Sequence, residues 1–547
     1  MAEFLVEHPT TSWEALNNGA VFYSRRHLYQ MQWNLSSVGG GSDLSGYIVA
    51  GARFGGPVAI MRDNTKLIAL GRTTFTKPVI QVFSSSGVHL ATINWELSKV
   101  VSLGWTSSEQ LVVLNEDGQY RLYDLQGTYR SFSLGSEAAE TGVMDAKIFE
   151  AGLVALTGQM SFLEVRGWEG QKPGVLSAPV MTVPPISWIV LPPDQTNSRH
   201  AEVVMSVEGT IYTCDNLEHI DQHMDGGPFT HIAASPNGRS LALLTASSNL
   251  WVITSDFQRK ILEFDISTLS PPSFSSSSLS SSSPTQIGWC GSDAVLIAYP
   301  NCVFLLGPGG ETLSYTYAST PCLVTEPDGT RIVSAHECDF VQRVPESLDS
   351  VLRPGSTAPA AFLFDASESF AKREAAVGGG GATVEMKSGG VDGVTLRGGG
   401  RADESIRAMK PDLAFAVDAC IDAAGREWEV VWQKKLLDAA KFGRAFLDLV
   451  DPRPFVTMGQ TLKVLNAIRY YEIGIPMTYQ QYTLLSPDQL LTRLTSRSLH
   501  LLALRIANYL SLKPDPILKH WACAKIAQTR PGGGLGTAGG SGESDEA

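Results

Sequence analysis

The chain has 547 residues, of which 43% are hydrophobic and 18% charged; that composition argues against global disorder, and the length predicts two or more folding units. Lys and Arg number 42 against 55 Asp and Glu, a formal net charge of −13, which disfavours broad charge-driven binding to nucleic acid because phosphate neutralisation needs a basic face. The N-terminus, Met1 to His8, lacks the basic and apolar regions of a secretory signal, and no window approaches the roughly 18 uninterrupted apolar residues of a membrane span.

Seven cysteines (Cys214, Cys290, Cys302, Cys322, Cys338, Cys420 and Cys523) are scattered without a CxxC pair, the pattern of free thiols in an intracellular chain. The expectation is a cytosolic protein that reaches membranes through partners.

Residues 1–355 read as strands and turns. An apolar strand, a tight turn, a second apolar strand and a Gly-containing turn recur, most clearly in Leu111-Val112-Val113-Leu114 before Asn115-Glu116-Asp117-Gly118, and in Leu241-Ala242-Leu243-Leu244 before Leu250-Trp251-Val252-Ile253. Copies anchored at Leu67, Leu111, Leu153, Val203, Leu241, Val295 and Ile332 step by about 44 residues on average, the length of a four-stranded propeller blade. Seven units predict an all-β, WD40-like, seven-bladed β-propeller. Strands at Val21-Phe22-Tyr23 and Leu28 to Trp33 precede the first unit; they either pair with the last blade and close the ring or begin a partial eighth. The serine tract from Pro271 to Pro284 reads as an extruded loop.

Trp105, Trp251 and Trp289 fall at matching points of the repeat and read as packing between blades. Asp117-Gly118, Asn237-Gly238 and Asp328-Gly329 read as hairpin turns.

After Pro354 the period changes. Residues 356–400 form a link in which Phe362 to Lys372 is helical and residues 376–400 are a Gly-rich insert expected to be a mobile loop. Residues 401–530 read as the start of an α-helical solenoid: Leu436, Ala440, Gly443, Leu447 and Val450 share one helix face, and Leu499, Leu502, Ile506, Tyr509 and Leu510 another. Ser486-Pro487-Asp488-Gln489 has the composition of a capping box. Residues 531–547 are expected to be a disordered tail.

Catalytic signatures are missing, and no catalytic residue, cofactor or metal site is expected. The GxGxxG at Gly534 to Gly539 lies in the tail without a preceding strand. In His336-Glu337-Cys338-Asp339 alternate side chains of a strand face opposite ways, so the four cannot converge on one ion; Cys338 is expected inward. His219 and His223 read as loop surface, and Arg25-Arg26 and Lys434-Lys435 as solvated charge pairs.

Several segments together resemble the vacuolar protein sorting-associated protein 16 family, core subunits of the HOPS and CORVET tethering complexes. In the first half the resemblance rests on Trp105 to Gly127, Ser235 to Thr245, Trp251 to Asp265, and Gly288 through to Pro345; in the second on Ala416 to Gly425, Leu462 to Thr478 and His520 to Ile526. It implies a non-catalytic scaffold acting in endosome-to-vacuole or lysosome transport and SNARE-mediated fusion, peripheral on the cytoplasmic face of those membranes. The implied partners are the other class C vacuolar protein sorting subunits, with Rab GTPases and SNAREs engaged indirectly. The family's helical arm continues beyond His520 to Ile526 and carries the docking site of the SM-family SNARE chaperone subunit, so the chain reads as a C-terminally truncated form. Helices between Ser486 and Lys525 would form the unfinished end of the stack, which makes Leu490, Leu494, Leu502, Ile506 and Trp521 the candidate partner-binding residues. A vesicle-coat or nuclear-pore subunit shares the architecture and is the alternative; a propeller hydrolase is a third reading.

Overall fold

The computed structural model describes residues 7–35, 43–63, 65–66, 78–269, 283–378, 406–407, 409–447 and 451–529. The Leu67 anchor, most of the serine tract, most of the Gly-rich insert, Val450 and the C-terminal tail with its GxGxxG lie outside these residues.

Among the described residues, twenty-nine strands form seven antiparallel sheets. Six are four-stranded and sequential in the chain. The first comprises β3 (Tyr47–Gly51), β4 (Val58–Arg62), β5 (Val79–Phe83) and β6 (His89–Asn94); the second comprises β7 (Val100–Trp105), β8 (Leu111–Asn115), β9 (Gln119–Tyr123) and β10 (Tyr129–Ser133). The other four begin with the innermost strands β11 (Val143–Phe149), β15 (Ser187–Leu191), β19 (Phe229–Ala234) and β23 (Gln286–Cys290). Seven innermost strands pack neighbour to neighbour in a ring, with β27 (Cys322–Thr325) returning to β3.

Burial follows position in the blade. Second strands carry continuous apolar runs at their centres: Leu111 to Leu114, Leu153 to Leu156, Val203 to Met205, Leu241 to Leu244 and Val295 to Ala298 are all buried. Each is covered on both faces by adjacent blades, which removes the polar alternation of a half-exposed strand. The outermost strand β10, by contrast, is almost entirely exposed. Leu111, Leu153, Val203, Leu241, Val295 and Ile332 all lie on second strands, which is why those anchors kept a blade's spacing.

The seventh sheet closes the ring. Its order is β1–β2–β29–β28–β27, so β1 (Trp13–Leu16) and β2 (Val21–Gln30) add to the C-terminal β28 (Gly329–Val333) and β29 (Glu337–Arg343). The register runs from Tyr23 opposite Arg343 to Gln30 opposite Glu337. Of the two alternatives for the N-terminal strands, ring closure is the one realised; the count is seven.

Helices follow: α2 (Glu346–Leu352) and α3 (Pro359–Gly378), then α4 (Leu413–Arg426), α5 (Val430–Arg444), α6 (Arg453–Ile468) and α7 (Tyr479–Leu485); the earlier α1 (Ser136–Thr141) lies between the second and third blades. Leu363, Leu413, Ala416, Cys420, Leu436, Ala440 and Leu462 make one core from α2 to α6. By packing the chain divides into Met1–Leu485 and Ser486–Ala547, so helices through α7 belong to the same compact unit as the ring. The second unit contains α8 (Pro487–Ser496), α9 (His500–Tyr509) and α10 (Asp515–Thr529). Its first helix starts at Pro487 as the sequence predicts, but Ser486 has φ +70° and makes no side-chain capping bond, so the expected capping box does not form.

Candidate functional site

Three features of the ring bear on function: the tryptophans between blades, a carboxylate–histidine cluster and the seam where the helices meet the propeller.

Trp105 donates from Nε1 to the Ala50 carbonyl at 2.9 Å and Trp289 to the Ala233 carbonyl at 3.0 Å; each reaches from one innermost strand to that of the preceding blade. Trp188 does the equivalent on β15, donating to Asp145 Oδ2 of β11 at 2.9 Å. Trp251 does not share this role. It lies on the third strand of its blade, half-buried, bonded to Glu263 at 3.1 Å and covered by Lys260. Apolar context made it resemble Trp105 in the sequence; Trp188 is the third member of the set.

His336 to Asp339 also behaves differently from a linear ligand cluster. Cys338 is buried on one face of β29, its thiol pushed up to about 12 by burial. Glu337 and Asp339 share the other face, where β2 brings His27 Nδ1 to 3.0 Å from Asp339 and Arg25 Nε to 2.7 Å. Tyr317 also donates to Asp339 at 3.1 Å, and Arg25 lies 4.9 Å over its ring. Of the three potential ligands His27, Glu337 and Asp339, both carboxylates are thus paired with the Arg25 guanidinium, which already supplies a countercharge. His27 is 312 residues from Asp339 and carries no sequence signal for this meeting. His219 falls on the short exposed strand β18 (His219–Asp221) and His223 on the turn after it; they do not converge.

The seam is built by the connection between α6 and α7, residues 469–478. Tyr29 Oη donates to the Arg469 carbonyl at 2.7 Å, Ser86 Oγ to the Tyr471 carbonyl at 2.6 Å, and the Ser85 amide to the Gly474 carbonyl at 3.2 Å. Gly474 has φ +62°, and a Cβ there would stand 2.6 Å from Ser86 Oγ, so both conformation and space require glycine. Asp328, expected only as a turn residue, accepts from Thr478 Oγ1 at 2.5 Å and Gln481 Nε2 at 2.8 Å. Burial raises its pKa despite those two bonds.

Beneath this connection Arg331 and Glu326 form a fully buried pair at 3.4 Å. Arg331 donates to the carbonyls of Ala52 (2.5 Å) and Gly56 (2.6 Å) and to Ser85 Oγ, while Glu326 accepts from the amides of Phe54 (2.5 Å) and Gly55 (3.2 Å). Nearby, Arg26 pairs with Glu427 at 3.1 Å and Arg469 stacks 4.0 Å over Trp428. Arg25 and Arg26 are thus structural ion pairs and not a solvated face; of Lys434 and Lys435, the second covers Trp432 at 3.9 Å.

A cleft of about 640 Å³ opens beside the seam, with Asp293, Asp328, Arg343, Glu346 and Arg426 in its wall. Arg343 is held by Asp293 at 2.7 Å and Arg426 by Asp422 at 2.7 Å, so both cations in its wall are paired within the protein.

In the terminal unit, Leu490, Leu494 and Ile506 are buried, Leu502 is half-buried and Trp521 is 48% exposed. Leu501, Leu518 and Ile526 are exposed as well. Their helical spacing announced apolar residues, but which side faced solvent depended on how the three helices pack. No helix among the described residues is long and apolar enough to cross a membrane, and all seven cysteines are free thiols.

The family described as Vps16, N-terminal region, matches residues 9–379 and 395–457. The chain is 31% identical over 538 residues to the vacuolar protein sorting-associated protein 16 homolog of Dictyostelium discoideum, covering 96% of this chain and 59% of that one. Protein VACUOLELESS1 of Arabidopsis thaliana is 31% identical over 531 residues, 92% and 57% of the two chains. The probable homolog in Schizosaccharomyces pombe is 28% identical over 539 residues, 96% and 58%. The chain therefore spans somewhat more than half the length of these curated relatives.

Proposed function

Because the chain belongs to the Vps16 N-terminal-region family, we propose that it is a non-catalytic scaffold subunit of a vacuolar protein sorting complex, of the HOPS or CORVET tethering type. The observation that carries this reading beyond family membership is the seam. Two architectures meet through buried polar contacts, Tyr29 to the Arg469 carbonyl, Ser86 to the Tyr471 carbonyl and Asp328 to Thr478, braced from within the ring by the Arg331–Glu326 pair, an arrangement that holds binding surfaces at fixed geometry.

In this role the protein acts in endosome-to-vacuole transport and SNARE-driven fusion, peripheral on the cytoplasmic face of those membranes. Its direct partners are the other class C subunits; Rab GTPases and SNAREs are engaged through them. The exposed side of the terminal helices, Leu501, Leu518, Trp521 and Ile526, is the partner-binding surface.

Affinity capture of the tagged full chain from cells, with partners identified by mass spectrometry, tests the role. Recovery of class C subunits is expected, reduced by Trp521→Ala; a free monomer, or coat or nuclear-pore subunits in their place, overturns it.

A further inference from the structure

The cleft beside the seam has a charge balance that the scaffold role leaves unexplained. It opens where the start of β2, the end of β29, the first turn of α2, the end of α4 and the start of α7 meet, all within the first unit. Its volume of about 640 Å³ falls among sites that enclose a compact ligand, roughly 300–1,000 Å³. Four carboxylates, Asp293, Asp328, Glu346 and Asp349, stand in the wall against two guanidiniums, Arg343 and Arg426. Arg426 is paired with Asp422, which is outside the wall, so Asp293 alone has its charge offset by a wall cation. Asp328 is held by two neutral donors, Thr478 and Gln481. Asp349 stands 3.8 Å from Arg353 through one oxygen, while the other, Oδ1, is buried without a hydrogen-bond partner. A carboxylate left in that state is an unmet demand for a positively charged donor.

A metal ion does not meet that demand. Among the described residues only His27, Glu337 and Asp339 bring three potential ligands within 4.8 Å of one another, so the wall carboxylates do not gather around one ion. A side chain that carries its charge on a long stem fits better. Glu346 and Asp349 are three residues apart on α2 and share one face of it. Beside them the wall holds two half-buried aromatic rings, Phe22 and Tyr479, and Arg353 already lies 5.0 Å over Phe22. Guanidinium pairs with carboxylates, lies flat on aromatic faces and packs its stem on apolar wall, which is the combination present. The frame is also set in advance: the Val344 amide donates to the Phe22 carbonyl at 2.8 Å and Arg353 to the Gly19 carbonyl at 3.1 Å, so little ordering remains for a ligand to impose.

We propose that this cleft is a docking site for an extended, arginine-bearing segment of a partner protein, with the guanidinium taken up by the Glu346 and Asp349 carboxylates. The site lies wholly within the first unit, and its test is independent of the surface on the terminal helices.

The test uses the full chain and a fluorescein-labelled hexapeptide of alternating arginine and glycine, followed by anisotropy, with glutamate replacing arginine in the control peptide. One equivalent of the arginine peptide should bind, and the glutamate peptide should not. Glu346→Lys should weaken binding by roughly tenfold or more and Asp349→Asn by roughly threefold. Glu218→Lys, at an exposed position on the turn before β18, makes the same change in net charge and should leave the affinity within about twofold. A photoreactive form of the peptide should cross-link to residues 343–349 or 478–480. Equal losses in the two lysine variants overturn the proposal, because the peptide then reads only the chain's net charge of −13. Cross-links confined to other regions overturn it too, as does an absence of binding by a chain whose circular dichroism shows it folded.

Discussion

The fifth blade and the seventh are built from the same strand geometry by opposite means. The fifth runs without interruption from Phe229 to Asp265: its four strands are neighbours in sequence, its first turn is Asn237-Gly238 with the glycine at φ +68°, and its second strand is buried from Leu241 to Leu244. The seventh draws strands from both ends of the propeller sequence and is met by a connection whose Arg469 carbonyl bonds Tyr29 of β2 across 440 residues. Local apolar burial stabilises the first arrangement. The second rests on buried polar and charged groups, which lose their hydration on folding and are favourable only when every partner is present. Damage at the seam should therefore cost more, residue for residue, than damage within an ordinary blade.

The sharpest test is the buried ion pair. Arg331→Ala leaves the buried Glu326 without its countercharge and removes three hydrogen bonds at once, a loss of about 3–5 kcal/mol by comparison with other broken buried pairs. Denaturant unfolding of the full chain reads it; wild-type stability in this variant would erase the distinction between seam and blade. Gly474→Ala comes next, at about 2 kcal/mol, from left-handed backbone strain and the clash with Ser84 and Ser86. Hydrogen exchange should locate that loss in residues 469–481 and leave the fifth blade's amides protected as before. A uniform loss of protection would mean that the ring and the connection open as one unit.

The same contrast explains what could be read from the sequence. Second strands announce themselves because continuous burial selects continuous apolar runs, so six anchors found their blades. N-terminal closure was legible as an open sheet edge in need of a partner. The seam was not. Arg26, Tyr29, Ser86, Asp328 and Arg331 look like surface or turn residues because each finds a partner far away in the chain, Arg331 at the Ala52 and Gly56 carbonyls. Polar residues buried by distant contacts leave no periodic trace. On the terminal helices, helical spacing separates apolar from polar positions but does not say which apolar positions another helix will cover, and only Trp521 among those named is substantially exposed.

Within the ordinary blades the tryptophans sharpen the comparison on a smaller scale. Trp289→Phe removes the donor to the Ala233 carbonyl and leaves a small void, for about 1–2 kcal/mol. Trp251→Phe, on a half-exposed third strand, should cost about 0.5 kcal/mol or less. Equal losses in thermal unfolding of the two variants would undo the assignment of the inter-blade role to Trp105, Trp188 and Trp289.

The smallest effect, and the one whose pH dependence identifies its origin, belongs to Asp328. Burial raises its folded pKa above the ordinary carboxylate value, so between those two values the folded chain holds more protons than the unfolded one. Its contribution to stability is thus fully present below the unfolded pKa and is lost as pH rises through the folded one. Asp328→Asn cannot titrate and turns an amide N–H₂ toward either Thr478 or Gln481, costing about 1 kcal/mol where wild-type Asp328 is protonated. The deficit relative to wild type should shrink as the pH is raised toward neutrality, because ionisation then penalises only the wild-type side chain. Paired denaturation curves across that range read the difference directly. A deficit that grew with pH would mean that the Thr478 and Gln481 bonds outweigh burial and hold Asp328 as a stabilised anion, and the seam would then be fastened by a charge and not by a buried neutral acid.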